Sequence, residues 1–242
     1  MKVPSLTRII SAEFLVALLT LGLPLTAIAE SYTPPAGLGA PARRQSAGTR
    51  GCVFGSPANV IALMPESNVG WTTEAYPRFY WYLPINQASF VEFTLTKASE
   101  ATELATADIV YQTRLMLSGD AGIVSVRLPE SEGIASLAVG ERYYWRVSLF
   151  CSPTSEVGEL QVDGWIERQV LTAELMAEIE SASESEKAAL YASNGYWFDA
   201  LDQFVKLQAV EPDNAELQSS WAEFLDSVGL SNLVNQPLLD EH

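Results

Sequence analysis

The feature that most restricts how this sequence can fold is a change in its hydrophobic pattern near residue 170. From Cys52 to about Val170, apolar and polar residues alternate, which is the period of a β-strand with one buried face. From Leu171 to about Gly229, capping residues and glycine stops mark helices instead. A run of strands followed by a run of helices predicts a β-sheet domain with a helical segment after it.

The strand region contains several short segments with this alternation. In residues 78–83, the side chains of Phe79, Trp81 and Leu83 fall on one side of the strand. The other segments are residues 91–95, 109–117, 123–128, 143–151 and 160–168. The glycines of residues 118–122 suit a hairpin between two of them. We therefore expect residues 51–170 to form an antiparallel β-sandwich of the immunoglobulin and fibronectin type.

One local motif supports the sandwich. Leu137, Gly140 and Tyr143 have the spacing of a tyrosine corner, in which the tyrosine hydroxyl bonds to the preceding backbone at a bend between sheets. Trp145 and Cys151 follow in phase with Tyr143. The pattern therefore predicts that this strand lies in the centre of the domain.

The helical region carries clear start and stop signals. Ser183 and Glu186 have the spacing of a capping box, and Gly195 is suited to end that helix. A second helix is predicted over residues 196–210, and residues 213–216 begin a third that reaches Gly229. We expect a small helical hairpin with one further helix.

Residues 195–204 resemble a tetratricopeptide repeat. Ala200 stands where two helices of such a repeat cross, Phe204 is its packing aromatic residue, and Pro212 ends it. The repeat is solitary, whereas arrays of this kind need about three units to bury a core.

Two interpretations of the helical segment, residues 171–242, stay open. Its helices could pack on the sandwich and complete the core. Alternatively, they could present an apolar groove to a partner protein, with Trp197, Phe198 and Trp221 as the candidate contacts.

The N-terminus has the three parts of a signal peptide. Lys2 and Arg8 precede an apolar run that ends in a small-x-small cleavage site at residues 27–29. We expect residues 1–29 to be removed and the protein to be exported to the periplasm or beyond. Residues 30–50 are rich in Pro, Gly and Arg and predict an extended leader. No later stretch is apolar enough to predict a permanent membrane span.

The chain has two cysteines, Cys52 and Cys151. An even number of cysteines in an exported domain indicates a disulfide, and a buried pair of free thiols is the alternative. We predict the bond, which would tie the start of the strand region to a central strand.

The charge of the chain excludes one class of partner. Its formal net charge is −16, so its field repels the phosphates of nucleic acids. Arg43, Arg44 and Arg50 form a basic cluster ahead of this acidic body. They are candidates for an anion contact, with surface ion pairs as the simpler interpretation.

Catalytic signals are largely missing. The single histidine is His242, so nucleophile pairs that depend on histidine and most zinc sites are not expected. No glycine-rich phosphate loop or calcium loop is present, so we predict no cofactor and no metal. A hydrolase that cleaves glycans with two carboxylates remains an alternative.

Binding is the better functional hypothesis. Sandwich loops and helical grooves suit contact with another envelope protein or with a glycan, and aromatic side chains of residues 76–82 are candidates for stacking on sugar rings. We therefore predict a non-enzymatic exported envelope protein that acts as a binding or structural module.

The sequence as a whole resembles a cyanobacterial family called domain of unknown function 928. The resemblance is carried by residues 41–44, 48–52, 77–84, 143–146, 151, 164–166, 195–201, 221 and 227–230. It implies an exported protein without an assigned activity. No catalytic residues follow from it.

Overall fold

The computed structural model describes residues 31–40, 43–46, 52–54, 59–97, 108–130 and 133–239. The predicted signal peptide of residues 1–29, Arg50 and His242 lie outside these ranges. Within them, no helix is long and apolar enough to cross a membrane.

In the described ranges, ten strands form three sheets. The strands are β1 Val53–Phe54, β2 Ile61–Ala62, β3 Val69–Thr72, β4 Arg78–Leu83, β5 Ile85–Asn86, β6 Phe90–Lys97, β7 Asp108–Leu115, β8 Gly122–Arg127, β9 Arg142–Phe150 and β10 Leu160–Arg168. A five-stranded sheet has the order β3-β10-β9-β6-β7, and a three-stranded sheet has the order β2-β4-β8. Strands β1 and β5 form a separate pair.

The alternation in the sequence decides which side chains fill the space between the two larger sheets. Phe93, Trp145 and Val162 point to the inner face of the five-stranded sheet and are fully buried. Phe79 of β4 meets them from the other sheet, with its ring 4.9 Å from that of Phe93 and 5.7 Å from that of Trp145. These aromatic contacts join the two sheets into one core.

Two expectations about strand pairing are wrong. The hairpin predicted around residues 118–122 does not form, because β7 pairs with β6 and β8 pairs with β4. Gly119, with a φ of +93°, instead turns the chain from one sheet to the other. The sheets are also not wholly antiparallel, since β3 and β10 run parallel. Their residues are far apart in the chain, so local patterns carry no information about this pairing.

The tyrosine corner is present as predicted. The Tyr143 hydroxyl accepts a hydrogen bond of 3.0 Å from the backbone N–H of Ala138, and the ring is buried. Gly140 lies between them with a φ of +76°, which glycine adopts without strain.

In the part of the chain that the structure describes, four α-helices follow the strands: α1 Ala173–Ser181, α2 Glu184–Ser193, α3 Trp197–Val210 and α4 Ala215–Asp226. The capping box of Ser183 and Glu186 is confirmed at the start of α2. Gly195, with a φ of +84°, ends that helix region, and Asn214 caps α4. Helix α1 was not predicted, and Thr172 caps it by accepting from the backbone N–H of Leu175.

Helix α3 packs directly on the sheets. A side chain at Gly70 of β3 would lie 2.7 Å from the Cβ of Trp197, so glycine is needed for this close approach. Phe198 contacts Phe79 of the sandwich core, with the ring centroids 5.6 Å apart. Trp197 donates from its indole nitrogen to the carbonyl oxygen of Leu63 at 2.9 Å. The helices and the strands therefore share one hydrophobic core.

Polar contacts fix the same helix in position. The Asp199 carboxylate is buried and accepts hydrogen bonds from the backbone N–H and the hydroxyl of Thr73. The Tyr80 hydroxyl donates to Asp202 at 2.6 Å, and Arg78 lies 3.4 Å from the same carboxylate. These bonds anchor α3 to β4 and to the end of β3.

The described part of the predicted leader is extended but packed. Thr33 donates from its backbone N–H to the carbonyl oxygen of Ala192 at 3.1 Å, and Tyr32 is buried beside Trp197. Further on, Arg44 accepts from the backbone of Ala62 in β2, and Arg43 accepts from that of Asp163 in β10. Residues 43 and 44 thereby connect β2 of the three-stranded sheet with β10 of the five-stranded sheet.

Candidate binding site on the outer face of the five-stranded sheet

The outer face of the five-stranded sheet is lined with polar side chains. The inward positions of β6, β9 and β10 are apolar, and the positions between them point outward. The register brings the outward residues of the three strands side by side: Thr94 is opposite Arg146, and Arg146 is opposite Asp163. One step along the strands, Ser148 lies between Glu92 and Gln161.

These outward residues line a groove of about 300 Å³. Its polar lining residues on the strands are Glu92, Thr94, Thr96, Tyr144, Arg146, Ser148 and Gln161. The volume is at the lower end of the range for small-molecule sites. The strands supply a rigid floor, because each is hydrogen-bonded to a neighbour on both sides.

The connection between β9 and β10 forms one wall of the groove. It folds back on the sheet so closely that a side chain at Gly158 would lie 2.7 Å from the Cβ of Ser148. Val157, in this connection, is 72% exposed, and Ile109 of β7 is 59% exposed at the groove. The polar floor of the groove is therefore bordered by two exposed apolar side chains, Val157 and Ile109.

Arg146 is held at the centre of this floor by a chain of hydrogen bonds. Its Nη2 donates to the Tyr144 hydroxyl at 2.9 Å, and that hydroxyl also hydrogen-bonds to the Asp163 carboxylate. Asp163 accepts a further bond from the backbone N–H of Arg43. Burial and the nearby Asp163 carboxylate raise the pKa of Tyr144 to about 12, so the phenol keeps its proton.

One hydrogen-bond donor of Arg146 is not used within the described residues. Its Nε is buried without a hydrogen-bond partner there. A buried donor of this kind costs stability unless it is satisfied, and such groups are often found at functional sites. The side chain as a whole is half-buried and lines the groove, and Tyr144 positions the guanidinium there.

The acidic residues of the groove have different surroundings. Glu92 forms an ion pair with Arg114 of β7, with 2.9 Å between Oε2 and Nε. Arg114 also lies over the ring of Phe90, 4.6 Å from its centroid. Glu156, in the wall, is exposed. Within the described residues, no three His, Cys, Asp or Glu side chains come together to hold a metal ion.

The aromatic rings at the groove are not stacking platforms. Tyr144 and Phe150 are only 6% and 5% exposed. Trp165 packs edge-on against Tyr144, and Phe90 stacks on Phe150 with the centroids 4.5 Å apart. The floor thus offers hydrogen bonds more than aromatic faces.

A larger cleft of about 410 Å³ lies between β7 and the end of β8. Its walls include Leu115, Val126 and Leu128, which are core side chains. Tyr111, Thr113, Arg127 and Glu130 also line this cleft.

The three candidate partner contacts lie inside the protein. Trp197 is 0% exposed, and Phe198 and Trp221 are each 2% exposed. Trp197 stacks on Phe224 of α4, 4.7 Å between centroids. Such side chains offer no surface to a partner in this structure. Of the two interpretations left open, their burial favours helices that complete the core.

Of the three arginines in the basic cluster, the structure describes Arg43 and Arg44. Arg43 is exposed, and Arg44 is half-buried with its Nη2 donating to the carbonyl oxygen of Val228, at the end of the α4 region. Burial lowers the pKa of Arg44, and the nearby Glu66 carboxylate opposes this effect. Arg50 lies outside the described residues. Arg44 therefore caps a helix end, a role that the anion hypothesis did not include.

The aromatic strand that was expected to stack on sugars is also buried. Tyr80, Trp81 and Tyr82 of β4 are at most 3% exposed. Helix α3 covers one face of this strand, as the bond between Tyr80 and Asp202 shows. The stacking hypothesis for these rings is therefore wrong.

The predicted disulfide is confirmed. Cys52 and Cys151 are bonded, with their Cα atoms 5.4 Å apart. The bond ties the segment before β1 to the end of β9, next to the wall of the groove. It thereby restrains one end of the candidate site.

The groove itself was not predicted. Its signal was present in the outward positions of β6 and β9, which read Glu-x-Thr-x-Thr at residues 92–96 and Tyr-x-Arg-x-Ser at residues 144–148. The alternation shows that these residues face away from the core. Only the strand order shows that they are neighbours.

Comparison with known proteins agrees with the resemblance noted in the sequence. The family model described as Domain of Unknown Function (DUF928) matches residues 45–238. No curated protein matches the chain. Because the match covers well over half of the sequence, the chain belongs to the DUF928 family.

Proposed function

We propose that this protein is an exported, non-enzymatic binding module of the cell envelope, and that it holds a glycan in the groove on the outer sheet face. The observation that carries the proposal is the floor of the groove. Hydrogen-bonding side chains from three adjacent strands converge there around Arg146, which the Tyr144 hydroxyl holds in place. Oriented polar groups on rigid elements are what specific recognition of a hydroxyl-rich ligand requires.

Export is supported by two features. The sequence predicts a signal peptide over residues 1–29, and the disulfide between Cys52 and Cys151 suits an oxidising compartment. In this proposal the tetratricopeptide-like helices serve the fold, because their large side chains are buried against the strands.

A glycan-cleaving hydrolase is the alternative, because Glu92 and Glu156 line the same groove. Such an enzyme needs one carboxyl group that keeps a proton for the leaving group, usually in an apolar environment. Glu92 forms an ion pair with Arg114, and Glu156 is exposed, so neither carboxyl group lies in an apolar environment. These surroundings favour binding over cleavage.

The test fills the groove without touching the core. Gln161→Trp places a bulky side chain on the groove floor, and Glu167→Trp is the matched control on the same strand and face, outside the lining. Binding to purified envelope polysaccharides is measured by sedimentation, and released reducing ends are counted in the same samples.

We expect the unaltered protein and Glu167→Trp to co-sediment with the polysaccharide, and Gln161→Trp to stay in the supernatant. No reducing ends should appear. Equal binding by both variants would remove the groove as the site. Cleavage that Gln161→Trp abolishes would establish the hydrolase instead.

A further inference from the structure

We infer that the groove takes an uncharged sugar, whose hydroxyl groups are held between Arg146 as donor and Glu92 as acceptor. This inference rests on the proposed function and narrows it from glycans in general to neutral saccharides. An arginine on the floor of a groove would by itself indicate an acidic polysaccharide as the ligand, and the inference excludes that class.

The charge balance of the groove is the first argument. Among the described lining residues, Arg146 is the only cation, whereas Glu92 and Glu156 are both acidic. Arg114 next to the groove is already paired with Glu92, and Tyr144 and Asp163 occupy one side of Arg146. The whole chain adds a net charge of −16. A carboxylate or sulfate on the ligand would therefore meet more repulsion than attraction.

The mixture of donors and acceptors is the second argument. A site for an anion gathers donors, but a sugar hydroxyl both donates and accepts. Arg146 offers only donors, and Glu92 only acceptors. In the register, Glu92 is opposite Ser148 and Thr94 is opposite Arg146, so Glu92 and Arg146 are diagonal neighbours. Diagonal pairs on a sheet lie about 7–8 Å apart, which one sugar ring can bridge.

The apolar border is the third argument. Val157 and Ile109 stand exposed at the groove, although exposed aliphatic side chains gain nothing from water. A pyranose ring presents C–H groups between its hydroxyls and can pack on such side chains. A fully ionised ligand has less surface of this kind. The volume of about 300 Å³ suits a short saccharide rather than a long chain.

The experiment compares sugars that differ only at C6. The protein is expressed with residues 1–29 in place and purified with its disulfide intact. Oligomers of glucose, mannose and galactose, and the matching oligomers of glucuronate, mannuronate and galacturonate, are titrated by calorimetry at low and high salt. We expect at least one neutral oligomer to bind, and its acidic counterpart to bind at least about tenfold more weakly at low salt. Added salt should narrow this difference, because it screens the repulsion.

Two pairs of variants assign the roles. Arg146→Met should weaken neutral binding about tenfold or more, since a charged hydrogen bond is lost, whereas Arg142→Met, four residues along the same strand, should not. Glu92→Gln removes an acidic charge from the groove and should bring the acidic oligomer closer in affinity to the neutral one. Its control is Glu167→Gln, which also sits on the outer face beside an arginine. If Arg146→Met does not fold, the comparison of Glu92→Gln with Glu167→Gln tests the inference by itself.

The outcomes separate the two claims. Tighter binding of the acidic oligomers overturns the neutral-sugar inference and leaves glycan binding in place. If no saccharide binds, both the neutral-sugar inference and the proposal of glycan binding are overturned. This holds even if the protein captures an envelope protein instead. Equal effects of Glu92→Gln and Glu167→Gln on sugar preference would also overturn the role of Glu92.

Discussion

The ring of Tyr32 lies edge-on against the indole of Trp197, with 5.0 Å between the ring centroids. Tyr32 precedes the first strand, and Trp197 begins α3, so the contact ties the N-terminal segment to the helices. The Tyr32 backbone N–H also donates to the Ser227 hydroxyl at 3.1 Å. The N-terminal segment, which the sequence predicted to be an extended leader, is therefore packed against the helices.

Replacing Tyr32 should therefore destabilise the whole protein. Tyr32→Ala removes a buried ring and should lower the free energy of unfolding by about 3–5 kcal/mol. Tyr32→Phe keeps the ring and loses only the long hydroxyl contact to Gly195, so its cost should be about 1 kcal/mol or less. Urea denaturation followed by tryptophan fluorescence measures both. Equal stability of Tyr32→Ala and the unaltered protein would show that the N-terminal segment does not unfold together with the rest of the protein.

The buried carboxyl group of Asp199 predicts a pH dependence of stability. Burial raises its pKa from 3.8 to about 6, although hydrogen bonds from Thr73 oppose the shift and the nearby Glu74 adds to it. Because the folded pKa lies above the unfolded one, the stabilising contribution is complete below about pH 4 and is lost as the pH rises through about 6. The loss between these limits is on the order of 2–3 kcal/mol.

Asp199→Asn isolates this contribution, because asparagine is neutral at every pH. The difference in unfolding free energy between the variant and the unaltered protein should shift in favour of the variant as the pH rises from about 4 to about 7, with most of the change between the unfolded pKa of 3.8 and the folded pKa of about 6. Urea titrations at several pH values give this curve. A difference that stays constant across the range would mean that Asp199 does not titrate there.

The features predicted correctly from the sequence are local ones. The capping box joins Ser183 and Glu186, and the tyrosine corner joins Ala138 and Tyr143, over spans of a few residues. Both depend on the chain's own backbone geometry and need no knowledge of distant partners. The alternation in residues 78–83 likewise needed only the period of a strand.

The features that were missed depend on which segments become neighbours. The parallel pairing of β3 with β10 joins residues such as Val69 and Trp165, which no local pattern connects. The sequence does not show that Trp197 is buried, because its burial depends on the close packing of α3 on Gly70. Arg146 and Glu92 form a candidate site only because β9 pairs with β6.

The tyrosine corner should contribute measurably to stability. Tyr143→Phe removes the hydroxyl that accepts from the backbone N–H of Ala138 at 3.0 Å, and the loss of this partly buried hydrogen bond should cost about 0.5–1.5 kcal/mol. Tyr76→Phe is the control, because its hydroxyl bond to the carbonyl oxygen of Ile134 is longer, at 3.4 Å. Thermal unfolding of the two variants compares them. A larger loss for Tyr76→Phe would contradict the importance of the corner.

The disulfide should account for a large share of the stability. Cys52 and Cys151 are 99 positions apart, so in the chain-entropy model their bond stabilises the fold by about 4–5 kcal/mol. The double variant Cys52→Ala with Cys151→Ala should unfold at correspondingly lower urea concentration, and reducing agent should then have no further effect on it. The intact mass of the oxidised protein should be two hydrogens below that of the reduced form. Two thiols that react with an alkylating agent without prior reduction would refute the bond.

Removing the helices should unfold the strands as well. Trp197 donates to Leu63 and packs on Gly70, and Phe198 contacts Phe79 in the centre of the sandwich. Deleting residues 171–242 would expose these core surfaces to water at about 25 cal/mol per Å² of apolar area.

We therefore expect the truncated protein to aggregate or to lose its cooperative transition, as judged by near-ultraviolet circular dichroism and urea titration. Glu174→Ala with Glu178→Ala, two changes on exposed positions of α1, is the control and should unfold like the full chain. A truncated protein with a sharp transition and native near-ultraviolet bands would show that the sandwich folds alone. The helical segment would then be free to serve a partner, and the burial of Trp197, Phe198 and Trp221 would have to be reversible.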